Sequence, residues 1–381
     1  MIEKVVVTMN YIKAFFQSES AGGISLLSAA ILGVLVANSP MADQYFATMQ
    51  IHLGPMTILE WVNDALMALF FLYVGIDTKQ KRVLPVLAAF AGVFTPAIVY
   101  YFAAGYMPEF RHGWGIPTAT DIAFAIGVIT MLGNMVSPAM KAFLAALAVI
   151  DDLIAIVVIA LFYGAGVNFM DLIAAAAVTG LLVYTNKQGY LRPLPYCVLG
   201  LVLWYLVLKS GVHATIAGVV LAMTIPFKGE VLDKVVYPME EWAHALKNWV
   251  NFFIIPLFSF LNAGVSFADF SMENLFHPVI IGVSLGLILG KQLGIFSAVY
   301  ILVQSKAIKM PTNTTWPEIY GTAIVCGIGF TMSLFVATLA FPPGVTQEMS
   351  KIGIFIGSII SGLLGAIVLI VAYKIRSIKN K

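Results

Sequence analysis

The chain has 381 residues, 60% of them hydrophobic and only 10% charged, with a net charge of +2. Soluble domains carry about 25% charged residues, so this composition excludes an ordinary globular protein and predicts a single polytopic membrane domain over 1–381. The near-balanced charge argues against a nucleic-acid partner, and Cys197 and Cys326, both in apolar segments, imply no disulfide framework.

Residues 1–20 are short, weakly amphipathic and lack an A-x-A site after an apolar run. They read as a cytoplasmic or interfacial segment rather than a signal peptide. Apolar windows separated by polar or Pro/Gly-rich breaks then give about twelve candidate spans embedded in a lipid bilayer. They fall near 21–39, 58–78, 83–106, 116–133, 140–163, 168–185, 193–208, 211–227, 248–267, 278–303, 318–341 and 351–374, and 375–381 forms a short tail. Span 8 directly follows span 7 and is the weakest of the set. Basic residues alternate with this count. If the N-terminus is cytoplasmic, the inner loops and ends carry Lys4, Lys13, Lys79, Lys81, Arg82, Lys141, Lys187, Arg192, Lys228, Lys234, Lys247, Lys306, Lys309, Lys374, Arg376, Lys379 and Lys381. The outer side carries only Arg111, Lys209 and Lys351. This positive-inside bias predicts both termini in the cytoplasm.

Span 2 has Asn63-Asp64 near its outer end and Asp77 with Lys79 at its inner end, where interfacial or solvated positions suffice to explain them. Span 4 opens with Gly115-Ile116-Pro117-Thr118-Ala119-Thr120-Asp121, and span 11 has Cys326-Gly327-Ile328-Gly329-Phe330-Thr331-Met332-Ser333 near its centre. Proline and glycine weaken intrahelical bonding, and hydroxyls can satisfy the freed backbone groups, so both spans are expected to break inside the membrane. They lie seven spans apart, an odd number, so they run in opposite directions. Spans 3–5 and 10–12 are then inverted counterparts whose broken helices meet, with Gly327 and Gly329 as broken-helix backbone.

Span 5 holds Asp151 and Asp152 at the midpoint of Met140–Tyr163, a stretch about 36 Å long as a helix. An ionised carboxylate there costs several kcal/mol unless something compensates its charge. Adjacent helical residues point about 100° apart, so one acid can face an ion pathway while the other faces a neighbouring helix. Lys291 lies roughly 18 Å of helix from either end of span 10, beyond snorkelling reach, so it needs a carboxylate partner or must be neutral. One of the aspartate pair is the natural candidate, and the glycines flanking Lys291 would let another helix approach closely. Asp121 adds a third carboxylate beside the Thr120 hydroxyl. Carboxylates, hydroxyls and carbonyls are hard ligands suited to Na⁺, Li⁺ or H⁺, and no Cys/His cluster suggests zinc or copper, so no resident cofactor is expected. Competition of a cation and protons for these acids, exposed alternately to each side, suffices for exchange. A sodium-coupled solute symporter and an intramembrane aspartyl protease are the competing readings. His213, at the outer turn after span 7, and Glu241 with His244, in an expected loop before span 9, are candidates for pH sensing.

At Ala119–Phe124, Ala148–Leu153, Leu208–Thr215 and Cys326–Ser333, the chain resembles bacterial NhaA-type Na⁺/H⁺ antiporters, as it does at Trp61–Leu66 and Asn262–Val265. The likeness runs from about Phe16 to the last span. It implies crossing broken spans 4 and 11, electrogenic exchange of more protons than sodium ions, and a place in the bacterial inner membrane. It also implies that Asp152 and Asp151 carry sodium ions and protons, with Asp121 and Thr120 beside them and Lys291 as partner of Asp151. A homodimer is implied too, through a hairpin between spans 1 and 2, although Ser39–Met56 is short for a full one. The chain further departs from the family after span 2, before span 9, and at Gln292, where a proline is common.

Overall fold

The computed structural model describes residues 19–78, 83–163, 168–231, 234–266, 272–311 and 314–379. Most of the expected N-terminal segment, and the basic residues Lys79, Lys81 and Arg82, lie outside them. Almost every described element is a helix, because a bilayer supplies no partners for backbone N–H and C=O groups and a helix satisfies them internally. Six unbroken stretches among the described residues are long and apolar enough to cross a membrane: Ile58–Ile76, Val86–Gly105, Pro138–Phe162, Phe169–Lys187, Pro278–Gln304 and Val345–Arg376. Further helices over Glu19–Ala37, Pro193–Lys209 and Ile216–Thr224 fall on the expected spans 1, 7 and 8. Below, the face rich in Lys and Arg is called the inner face.

Both spans with motif breaks are broken. Span 4 winds as a 3-10 stretch over Pro108–Thr118, runs extended through Ala119–Asp121, and resumes as a helix over Ile122–Met131, bent by 45°. Span 11 consists of Trp316–Val325 and Phe330–Ala340, bent by 44° around Cys326–Gly329. The 3-10 stretch begins eight residues before the expected start of span 4, with Pro108 at its first position and its later residues buried.

Three expectations are corrected. Only Ile216–Thr224 of the expected span 8 is helical, because Gly211 takes a left-handed turn (φ 77°) and Ile225 is extended before Pro226. Span 9 begins at Pro238, not near 248, so Glu240, Glu241, His244 and Lys247 stand on a helix rather than in a loop. Pro238 at the first helical position, two acids in the first turn and Lys247 in the last favour that start. Span 12 begins at Val345, six residues early, and tucks Gln347, Ser350 and Lys351 inside. After span 1 the chain turns by 115° into a short helix, Ala42–Met49, followed by a small antiparallel hairpin pairing His52–Leu53 with Met56–Thr57. A reduced hairpin therefore spans His52–Thr57, at the end of the short Ser39–Met56 connection.

Two contacts position span 5. Ser137 caps it by accepting from Met140 N at 3.3 Å, and Ser137 N donates to Glu318 Oε1 at 2.6 Å. The other Glu318 oxygen pairs with Arg376 at 3.4 Å, so the inner ends of spans 5, 11 and 12 meet at one buried carboxylate. Span 10 lies against span 3 through Gly290, where any Cβ would overlap Pro96. That close approach is the one the flanking glycines foreshadow.

Candidate ion site at the helix crossing

Spans 4 and 11 cross at their breaks. Asp121 N donates to Ile328 O at 2.7 Å, and Thr120 Oγ1 donates to Cys326 O at 2.8 Å. The Asp121 carboxylate then caps two helices. Oδ1 accepts from Phe124 N at 2.9 Å on its own helix, while Oδ2 accepts from Thr331 N at 3.0 Å on the outer half of span 11. Thr331 Oγ1 also donates to Oδ2. Its negative charge thus faces two helix N-termini, where partial positive charge collects.

Lys291 sits just past a π-helical turn, Gly286–Gly290, that interrupts span 10. Wholly buried, its ammonium donates to Asp151 Oδ2 and to Thr118 O, the last carbonyl of the outer half of span 4. The cation therefore meets both a carboxylate and the negative end of a broken helix. Asp152 differs. It is fully buried, neither of its oxygens has a hydrogen-bond partner, and Asp151 Oδ1 is likewise without one. Asp151, Asp121 and Lys291 all lie within electrostatic reach of it. Three carboxylates and one ammonium share the site. Lys291 pairs with Asp151, the helix ends answer Asp121, and among the described residues no hydrogen-bond donor reaches Asp152.

Gly327 and Gly329 serve close approach rather than unusual dihedrals, since neither has positive φ. A Cβ on Gly327 would run into Leu287 O of span 10 and the Ser361 side chain, and one on Gly329 into Ser333. Among the described residues, no three Asp, Glu, His or Cys side chains come together as a metal centre. A hard cation on Asp152 and Asp151 would complete its shell with neutral oxygens.

A cavity of about 830 Å³ enters from the inner face. His244, Lys247 and Asn248 of span 9 line it, and Ile122, Ala123 and Val149 line it where it approaches the breaks. Ile122 adjoins Asp121, and Val149 lies one turn before Asp152 on span 5. On the outer side aromatic rings pack together. Phe335 of span 11 sits between Phe71 of span 2 and Phe258 of span 9, each pair with centroids 6.1 Å apart. Tyr163 OH donates to His112 O at 2.6 Å and accepts from Gly115 N at 3.1 Å, tying the outer end of span 5 to span 4. His213 hydrogen-bonds Tyr163 O through Nε2 at 3.1 Å, on this outer face. The three candidate pH-sensing residues are not one cluster, because His244 and Glu241 stand at the opposite face and Glu241 does not line the cavity.

Reading residue types alone missed Ser358, which bonds the start of the outer half of span 11, and Phe335. A polar residue deep in span 12 was the available signal for Ser358. A ring within an apolar span gave none for Phe335. The protease reading fares poorly here: two acids must share a water, and Asp121 has both oxygens engaged as caps.

A family model described as Na⁺/H⁺ antiporter 1 matches residues 13–369. The chain is 44% identical over 374 residues to the Na(+)/H(+) antiporter NhaA of Caulobacter vibrioides, covering 95% of this chain and 91% of that one. It is 46% identical over 377 residues to the protein of the same name from Mesorhizobium japonicum, covering 94% of each. The solved structure of the sodium proton antiporter MjNhaP1 from Methanocaldococcus jannaschii superimposes with a TM-score of 0.56 at 13% identity, over 97% of this chain and 99% of that one, a likeness of fold.

Proposed function

The chain belongs to the Na⁺/H⁺ antiporter 1 family, and from that premise we infer that it is a transporter exchanging sodium ions for protons across a bacterial membrane. One observation carries the reading of the site: the buried Asp152 carboxylate, with no hydrogen-bond partner among the described residues, one turn beyond the lining of a cavity that enters from the inner face. A buried acid in that position needs a positive counter-charge, and a proton and a bare cation are interchangeable answers.

In this reading Asp152 takes a sodium ion or a proton from the inner cavity. Asp151 joins it when protonation or cation binding loosens the pair with Lys291. Asp121 and Thr120 hold the crossing together while the outer seal at Phe335 opens and the inner cavity closes. Binding of sodium ion and protons is mutually exclusive, so each can leave only by exchange. Two acids against a single sodium ion are consistent with electrogenic transport of more protons than sodium ions, with Li⁺ as an alternative substrate. The bacterial inner membrane, cytoplasmic termini and a homodimer joined through the reduced hairpin complete the proposal, with His213, Glu241 and His244 as candidates for pH control.

Everted vesicles holding a respiration-driven pH gradient test it. Adding Na⁺ or Li⁺ should collapse the gradient within seconds, while K⁺ should not. A gradient indifferent to Na⁺ at every pH, in vesicles containing the protein, overturns the proposal. Sodium movement that requires an organic solute and carries no counter-directed proton points to a symporter instead.

A further inference from the structure

The outer half of span 11 starts inside the membrane, so its first N–H groups have no intrahelical acceptor and no water. Thr331 N is held by Asp121 Oδ2. The two preceding groups, Gly329 N and Phe330 N, both donate to Ser358 Oγ of span 12 at 3.2 Å. Ser358 is buried, so this hydroxyl belongs to the site's framework rather than to a surface.

A carboxylate offers about four lone-pair positions. Asp121 already accepts from Phe124 N, Thr331 N and Thr331 Oγ1, leaving roughly one position for anything passing through the crossing. Without Ser358, two buried N–H groups would begin the same half-helix with no acceptor, beside a carboxylate with one position left. They would compete for that position, or the half-helix would shift until they found another oxygen.

We propose that Ser358 is a positioning residue for ion exchange: by holding Gly329 N and Phe330 N, it fixes the start of the broken helix and keeps part of the Asp121 carboxylate available to the cation. This rests on reading the crossing as the ion site. Ser361, one turn along the same face of span 12, provides an internal control. It is fully buried against Gly327, and its Oγ has no hydrogen-bond partner, so removing it disturbs no cap.

The test compares Ser358→Ala, Ser358→Thr and Ser361→Ala with the unaltered protein in everted vesicles, measuring apparent KM for Na⁺ and the maximal rate separately. Ser358→Ala should raise the KM by roughly twofold to thirtyfold, the range that a lost helix cap spans, with a smaller change in maximal rate. Ser358→Thr keeps the hydroxyl and should stay within about twofold of the unaltered protein, as should Ser361→Ala. An unchanged KM in Ser358→Ala, or equal impairment in Ser358→Thr, overturns the inference. Should Ser358→Ala not reach the membrane, Ser358→Cys substitutes a weaker acceptor of similar volume. Its KM should then rise, and a KM equal to that of the unaltered protein is equally fatal. Unaltered protein without Na⁺-driven proton flux overturns the exchange reading together with this inference. An active unaltered protein with an indifferent Ser358→Ala overturns this inference alone.

Discussion

Two carboxylates within electrostatic reach of one another have been given opposite surroundings. At the break in span 4, Asp121 receives three donors and closes the ends of two helices. At the midpoint of unbroken span 5, Asp152 receives none. Burial is equal in the two regions, so burial alone does not mark an acid as an exchange group. Backbone disruption does the separating. A broken helix exposes N–H groups that consume a carboxylate, whereas an intact one offers none, so its acids need a side chain from elsewhere, as Asp151 has in Lys291, or a bound cation or proton.

If that contrast is right, the largest effect belongs to Asp152→Asn. An amide cannot trade a proton for a cation, so Na⁺-driven proton flux should disappear while the protein still inserts. Near-normal flux in a well-expressed variant would break the contrast at its root. Lys291→Ala comes next: it leaves Asp151 buried without its counter-charge, at a cost on the order of 3 kcal/mol, visible as a lower melting temperature in detergent. An unchanged melting temperature would mean the pair contributes nothing to the fold.

A third measurement needs no variant. Each proton bound removes negative charge from the cation's ligands, so apparent KM for Na⁺ should rise as pH falls, approaching about tenfold per pH unit for each proton displaced at the acid end, with the maximal rate changing less. A KM flat across pH would move control away from Asp152 to groups such as His244. The smallest loss of maximal rate is expected of Asp121→Asn, which keeps one accepting oxygen but, without its charge, should raise the KM for Na⁺ at least as far as Ser358→Ala does. Loss of one cap should cost about 1 kcal/mol and slow exchange without abolishing it. Loss as complete as that of Asp152→Asn would erase the distinction between the two regions.

How much of this was readable in the sequence follows the same physics. The cost of charge in hydrocarbon exposed Asp151, Asp152 and Lys291 and required a partner for the lysine, and the structure places that lysine on Asp151. Glycine, proline and threonine at Gly115–Asp121 and Cys326–Ser333 marked the breaks, because they are the residues that weaken or replace backbone bonds. Contacts between distant elements were not readable. That Ser358 reaches Gly329, that Glu318 reaches Ser137 and that Phe335 fills the gap between Phe71 and Phe258 depends on how helices pack. The start of span 9 was obscured for a different reason. Glu240, Glu241, His244 and Lys247 lower the hydropathy of a segment that is helical all the same, so a hydropathy window ends where the apolar residues end and the helix does not.

The pair of Lys291 and Asp151 also carries a schedule. The two residues are 140 positions apart in the chain. At about 5–20 residues per second, a ribosome makes span 10 roughly 7 to 28 s after span 5. During that interval the acids enter the bilayer without their lysine, each opposed by about 2.5–3.5 kcal/mol on an insertion scale and carried in by the leucine, isoleucine and valine around it. Span 10 meets the mirror-image difficulty, and its lysine settles only because the carboxylate is already waiting at the right depth. Biogenesis is therefore ordered. Chains stopped before span 10 should be held by insertion factors or degraded, while chains reaching Lys291 become resistant to proteolysis in one step, as the late helix neutralises the early one.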